Sequence, residues 1–200
     1  PLVSHSVAAV SQHPACAGGA LVVHNDDLQV AKEWLSVGLD KNIPFEVVAG
    51  GATRRESVLN GVNSLVKRCE KDDLVAIHDG ARPLLHSQDL NSVLEVAHES
   101  GAALLAEAVT DTLHRGDSHA SWDGFVDRDQ LWRAQTPQIF KYSSLSAALC
   151  RENVGQTDEV ECVVAGGQSV QFVQAGHLNL KITTPADLHL AQLLLESRRF

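Results

Sequence analysis

Short apolar runs rich in β-branched residues alternate with helix-period segments along the first half of this chain, and no other feature narrows the fold as far. Residues 20–24, 45–48, 74–78 and 102–109 read as buried strands. Helical spacing of apolar residues marks 2–13, 26–37, 54–69 and 88–100. Asn25 or Asp26 is available to cap the second of these. In the third, Val58, Leu59, Val62, Leu65 and Val66 form one apolar face. Strands separated by helices pair in parallel through crossovers, so the fold class is α/β, a mostly parallel sheet with helices on both faces. No internal repeat or linker divides the chain, and residues 1–200 form a single domain.

The rhythm breaks between 110 and 127. Two short strands around a Gly/Asp/Ser turn read as a β-hairpin arm at about 109–126; a plain surface loop fits the pattern equally well. The stretch 131–140 reads as a loop. Arg133, Gln135, Thr136 and Gln138 are too polar for a core strand, Pro137 excludes a helix, and Leu131, Trp132, Ile139 and Phe140 anchor the ends. Helices follow at 143–151 and 158–165, the latter capped by Thr157, then strands at 170–173 and 178–182. The last helix opens with Thr184 as N-cap, Pro185 at its first position and Asp187 at its third. Leu188, Leu190, Ala191, Leu194 and Leu195 give it an apolar face.

A net charge of −9 argues against nucleic acid or a membrane surface as partner, since both need a basic face. No apolar run is long enough to span a bilayer and no signal peptide is visible, so the expected compartment is the cytoplasm. The four cysteines are far apart with no CxxC pair and read as reduced, buried or half-buried thiols. The ten histidines lack HxxxH or HExxH spacing, so no metal-ligand set is assigned.

Ligands of open α/β sheets bind beyond the carboxyl ends of the strands, and the segments there are unusual. Residues 50–57, GGATRRES, lead from a strand into a helix: the glycines admit a close ligand, the helix start offers N–H groups, and Arg54 and Arg55 add charge. Residues 78–83, HDGARP, end a strand in a carboxylate and an arginine. Asp79 could hold a sugar hydroxyl or a magnesium–phosphate group and Arg82 a phosphate; a turn salt bridge fits as well. Lys181 falls inside the expected strand 178–182, where a cation is costly unless paired. It is either a snorkelling edge residue or a phosphate ligand.

GGATRRES, HDGARP, VTDT, VDR, LWRAQTPQ, TDE and NLKITTPADL follow one another over essentially the whole chain. In this order and spacing they resemble the 2-C-methyl-D-erythritol 4-phosphate cytidylyltransferases. The resemblance implies a Rossmann-like domain and a homodimer interlocked through the arm. It implies transfer of CMP from CTP to methylerythritol phosphate with release of pyrophosphate, in non-mevalonate isoprenoid precursor synthesis. Magnesium would be bound mainly through the CTP phosphates. By the same resemblance Gly51, Ser57, Asp79 and Gly80 bind CTP. Arg82, Thr112, Thr136, Thr157, Arg128 and Lys181 bind the acceptor substrate, some from the partner subunit. Arg128, Lys181 and Asp79 are its catalytic residues.

The resemblance also implies a glycine-rich loop, with an arginine and a following lysine, that wraps the triphosphate. Its place in the family lies ahead of Pro1. Residues 1–200 alone are expected to bind CTP poorly and to turn over essentially not at all. A chain opening on Pro1 with no methionine is expected to be a fragment lacking its native N-terminus, and a second catalytic domain beyond Phe200 stays open. Gly80 stands where the family usually has alanine, and Leu178 where a polar residue is common. The rival readings are a cytidylyltransferase for another polyol phosphate, such as ribitol 5-phosphate, and a non-catalytic dimeric binding protein of the same fold. No G-x-G-x-x-G follows a strand, which argues against a nicotinamide enzyme.

Overall fold

Successive side chains of a strand point to opposite faces of its sheet, and here both faces are covered. The computed structural model describes residues 1–39, 43–151 and 158–197. Its elements are α1 (Leu2–Ser11), β1 (Gly19–Val23), α2 (Leu28–Gly38), β2 (Phe45–Ala49), α3 (Arg54–Ser64), β3 (Leu74–Ile77), α4 (Ser87–Ser100) and β4 (Ala102–Ala108). After these come β5 (Leu113–Gly116), β6 (Trp122–Val126), β7 (Trp132–Lys141), α5 (Tyr142–Leu149), α6 (Glu159–Ala165), β8 (Gln171–Gln174) and α7 (Pro185–Ser197).

A four-stranded sheet in the order β3-β7-β4-β8 forms the centre. On one face Ala102 and Phe140 pack with Val62 of α3, Leu145 and Leu149 of α5 and Val163 of α6. On the other, their chain neighbours Ala103 and Ile139 pack with Leu90, Val93 and Ala97 of α4. Phe140 and Ile139 are completely buried, and each contributes about 1.5–3 kcal/mol relative to exposure. The parallel pair β1–β2 carries α1 and α2 through a smaller core around Leu21, Ala31 and Leu35. The expected α/β class, with helices on both faces, is the observed one.

The stretch expected to be a loop is instead the inner strand β7, antiparallel to both β3 and β4. Its polarity is tolerated because Trp132, Arg133 and Ala134 lie in the exposed half, while buried Thr136 and Gln138 find partners. Pro137 sits where the ladder on β4 slips, between Leu104↔Gln138 and Ala106↔Ala134, and just past the last β3 pair, Ile77↔Gln138. A residue without an N–H is accommodated at such an irregularity.

Several ends also differ from expectation. Helix α3 stops at Ser64, because the i→i+3 bonds Leu65 N to Val62 O and Val66 N to Asn63 O tighten the chain into turns, leaving Val66 59% exposed. Neither Asn25 nor Asp26 caps α2. A 3₁₀ turn at Asn25–Asp27 precedes it, with His24 Nδ1 accepting from Asp26 N. Asp158 caps α6, accepting from Val160 N at 2.7 Å; Thr157 lies outside the described residues. Residues 178–182 form no strand. They run as a strap whose Ile182 N donates to Ala81 O. The start of α7 is as read: Asp187 N donates to Thr184 Oγ1 and Thr184 N to the Asp187 carboxylate. Of its expected apolar face Ala191 is buried, whereas Leu188 and Leu190 stay exposed. The hairpin forms, with β5 and β6 antiparallel from Leu113↔Val126 to Gly116↔Trp122. None of the four cysteines is in a disulfide, and Cys150 is exposed.

Candidate functional site

Strand β3 ends at Ile77, and the next residues turn beyond its carboxyl end. There the Asp79 carboxylate meets three cations from three segments. Arg54 Nη1, at the first position of α3, lies 3.2 Å away; Arg82 Nε, in the same turn, 3.4 Å; and Lys181 Nζ, on the strap, 3.1 Å. The Asp79–Arg82 turn pair is therefore present, but as one edge of a larger cluster. Burial alone would raise the Asp79 carboxyl; Lys181, Arg54 and Arg82 outweigh it and hold it below its ordinary value. Lys181 is on no strand, and its side chain is 47% exposed, which leaves the ammonium reachable from solvent.

A second layer fixes this turn. Asp79 N donates to Thr136 Oγ1 at 3.0 Å, and that hydroxyl also meets His78 Nδ1 at 3.0 Å. His78 Nε2 lies 3.0 Å from Arg82 O, which can only accept. The proton therefore sits on Nε2, Nδ1 accepts, and Thr136 donates to it. A neutral ring satisfies every group in this chain, and burial pushes His78 down to about 4. Arg82 Nη1 donates to Asn179 O at 2.7 Å, and Asn179 Nδ2 to Thr136 O at 2.7 Å. Burial pulls the Arg82 guanidinium down against the pull of Asp79, and it stays charged because arginine ordinarily titrates far above neutrality.

Arg54 joins the cluster to α6. Its Nη2 lies 2.9 Å from Glu159, whose carboxylate is nearly fully buried. Burial raises Glu159 although Arg54 opposes it, while Arg54 is itself raised because Glu159 and Asp79 outweigh its desolvation. A buried carboxylate of this kind depends on its partner. Ahead of Arg54, the turn before α3 is closed by its own residues. Thr53 caps the helix by accepting from Glu56 N at 3.1 Å, and Glu56 accepts from Ala52 N at 2.6 Å. Gly51 N donates to Ser57 Oγ at 3.0 Å. A Cβ on Gly51 would lie 2.2 Å from Glu56 Cβ, so only glycine fits there. Gly80 is looser: its added Cβ would meet Val3 Cγ2 at 3.2 Å, and its carbonyl accepts from Ser6 Oγ.

The chain thus brings together Asp79, Arg82, Thr136 and Lys181, with Gly51 and Ser57 adjoining through Arg54. Arg128 and Thr112 lie at the base of the arm. Arg128 is exposed and donates to Thr110 O, and Thr112 is exposed. No described hydrogen bond or ion pair joins either to the Asp79 cluster. Trp122 and Phe125 on the arm are 70% and 65% exposed, and Trp132 and Phe172 make a tilted ring contact at the surface. Sequence reasoning passed over His78, Glu159 and Asn179 as site members. All three stand inside the quoted motifs, but nothing in a motif says that its residue is buried.

The family profile described as 2-C-methyl-D-erythritol 4-phosphate cytidylyltransferase matches residues 1–197. A relative of that name from Stenotrophomonas maltophilia is 38% identical over 98% of this chain and 85% of its own length. A crystal structure of a 4-diphosphocytidyl-2C-methyl-D-erythritol synthase superposes with a TM-score of 0.85, at 33% identity over 97% of this chain and 89% of the other. The corresponding cytidylyltransferase from Thermus thermophilus gives 0.78, at 29% identity over 98% and 89%.

Proposed function

This chain belongs to the 2-C-methyl-D-erythritol 4-phosphate cytidylyltransferase family, and from that premise we propose which of its residues carry the reaction. It is a nucleotidyltransferase that moves CMP from CTP to 2-C-methyl-D-erythritol 4-phosphate and releases pyrophosphate. A phosphate oxygen of the acceptor attacks the α-phosphorus, and the bond to the β-phosphate oxygen breaks. Both reactants are polyanions, so the protein's task is to hold them in line and neutralise charge.

The observation that carries the residue assignment is the meeting of Arg54, Arg82 and Lys181 on Asp79. Three cations around one carboxylate leave net positive charge at the end of β3, suited to a phosphate. Lys181 and Arg128 orient the acceptor phosphate, Arg82 contacts it, and Thr112 and Thr157 bind the acceptor. Gly51 and Ser57 face the cytidine, with Asp79 and Gly80 near the ribose and the reacting phosphate. Thr136 has both hydroxyl functions engaged within the chain, so its part is to hold Asp79 in place.

Magnesium accompanies the triphosphate. The described residues do not build a pocket for it: Asp79, the carboxylate at the centre, is taken by three cations, and no group of three His, Cys, Asp or Glu converges. No step is derived through the ion.

The working unit is a homodimer. Arg128 and Thr112 are exposed at the base of the arm and, among the described contacts, bond to none of the Asp79 cluster, in keeping with a site completed by a partner's arm. The exposed Trp122 and Phe125 supply apolar surface for such a partner. The compartment is the cytoplasm, in keeping with thiols that form no disulfide. No helix among the described residues is long and apolar enough to cross a membrane.

Pyrophosphate release by the full-length protein, given CTP and magnesium with either methylerythritol phosphate or ribitol 5-phosphate, tests the reading. Release with methylerythritol phosphate alone is expected. Release with ribitol phosphate alone, or with neither from a folded protein, would overturn it.

A further inference from the structure

We propose that Asp89, His177 and His86 form a clasp that positions Lys181 for the acceptor phosphate. The proposal rests on the reading of Lys181 given above.

Asp89 lies in the first turn of α4 and is 5% exposed. An acid in that turn ordinarily accepts from the backbone of its own helix. Here both carboxylate oxygens are turned on the strap that follows β8. Oδ1 accepts from Gly176 N at 3.0 Å and from His177 Nδ1 at 3.1 Å, and Oδ2 accepts from His177 N at 3.2 Å. The imidazole of His177 then lies flat on that of His86, with centroids 3.8 Å apart and planes 14° apart. His86 is fixed in turn as the cap of α4, its Nδ1 accepting from Gln88 N. Helix capping does not account for three strap donors on one buried carboxylate. A fastening for the strap does.

What the strap carries gives the fastening its purpose. Two residues beyond His177, Asn179 is buried and bonds to Thr136 O and Arg82; two further on, Lys181 reaches Asp79. Beyond that, Ile182 N is bound to Ala81 O. Four residues span at most about 14 Å, so the clasp, together with the bonds of Asn179, sets the course of the short stretch that carries Lys181. Gly176 permits the close approach, since a Cβ there would crowd Asp89 Oδ1 at 3.3 Å.

The test uses the full chain with Asp89→Asn, His177→Ala, His177→Asn, Lys181→Ala and the double variant His177→Ala/Lys181→Ala. Steady-state rates are measured against each substrate, together with amide hydrogen exchange along 175–184. Asp89→Asn and His177→Ala should lower kcat/KM for methylerythritol phosphate about tenfold, a charge-assisted hydrogen bond's worth, and speed exchange at Lys181. KM for CTP should stay within roughly twofold. His177→Asn, which keeps a donor toward Asp89, should retain most of the activity. In the Lys181→Ala background, His177→Ala should add less than about a twofold loss. Equal losses for both substrates, or losses that multiply in the double variant, would overturn the proposal by making the clasp a general support of the fold. Normal kinetics in Asp89→Asn and His177→Ala beside a damaged Lys181→Ala would sink the clasp alone. Normal kinetics in Lys181→Ala would sink the reading of Lys181 and the clasp with it.

Discussion

The turn around Asp79 and the arm at 109–126 are both rich in polar residues, yet they are built in opposite ways. In the turn, groups that follow β3 bond with others from β7, α3, α6 and the strap: His78, Asp79, Arg82, Thr136 and Asn179 all bond across long stretches of chain. The arm is held mainly by its own ladder and by two bonds at its base, Val109 N to Leu131 O and Arg128 to Thr110 O. Its largest side chains face outward. A region whose polar groups are mostly paired internally, with Asn179 Oδ1 left over, is largely set before ligand arrives. One that exposes two aromatic rings on a two-stranded ribbon is marginal alone.

The largest expected effect separates chemistry from folding within the cluster. In the full-length protein Lys181→Ala should cut turnover by about a hundredfold or more, the scale of removing one charge-stabilising donor. Unfolding free energy should move by only about 0.5 kcal/mol, because the side chain is half exposed. Arg128→Ala should behave alike from the arm's side. Parallel rate and melting measurements check both, and a stability loss that matched the rate loss would merge site with scaffold.

Next comes pH. His78 is held neutral with a value lowered from 6.5 to about 4. Between those values the unfolded chain takes up a proton that the folded one refuses. Stability is therefore intact above pH 6.5 and falls as pH drops toward 4, by up to about 3 kcal/mol from this group. Urea midpoints across the window should show His78→Gln with a flatter profile than the parent. Identical slopes would mean that the relay is not closed.

The arm supplies the third. Trp122→Asp with Phe125→Asp should weaken self-association by about 2 kcal/mol or more per anchor, seen as a shift to half the mass in sedimentation. The core of the single chain should stay folded. Retained dimers would place the interface elsewhere. The smallest effect is His114→Ala, which removes the exposed bond from Trp122 Nε1 to His114 Nδ1. We expect at most about 0.5 kcal/mol by thermal unfolding. A loss of several times that would show an arm that supports itself.

Much of this was legible along the chain. Strands β1 to β4 declared themselves because apolar runs of that length, spaced by helical periods, have few other folds open to them. The capping box at Thr184 and Asp187 was legible because it is a local exchange between residues three apart. Strand β7 was not. Its polar residues look like a loop until Thr136 meets His78 and Gln138 meets Asp158, contacts separated by 58 and 20 residues. The same blindness turned the strap 178–182 into a strand: Asn179 is buried for its hydrogen bonds, not for a ladder.

The linear chain determined the α/β class, the family and the short list of chemically able residues, because periodicity, caps and motifs are short-range properties. Only the tertiary structure decided that Arg54, Arg82 and Lys181 share one carboxylate, and that His78 stays neutral. It alone shows that Arg128 is exposed and bonded to Thr110 O at the base of the arm. Burial and long-range electrostatics depend on which distant segments meet, and no local pattern records that.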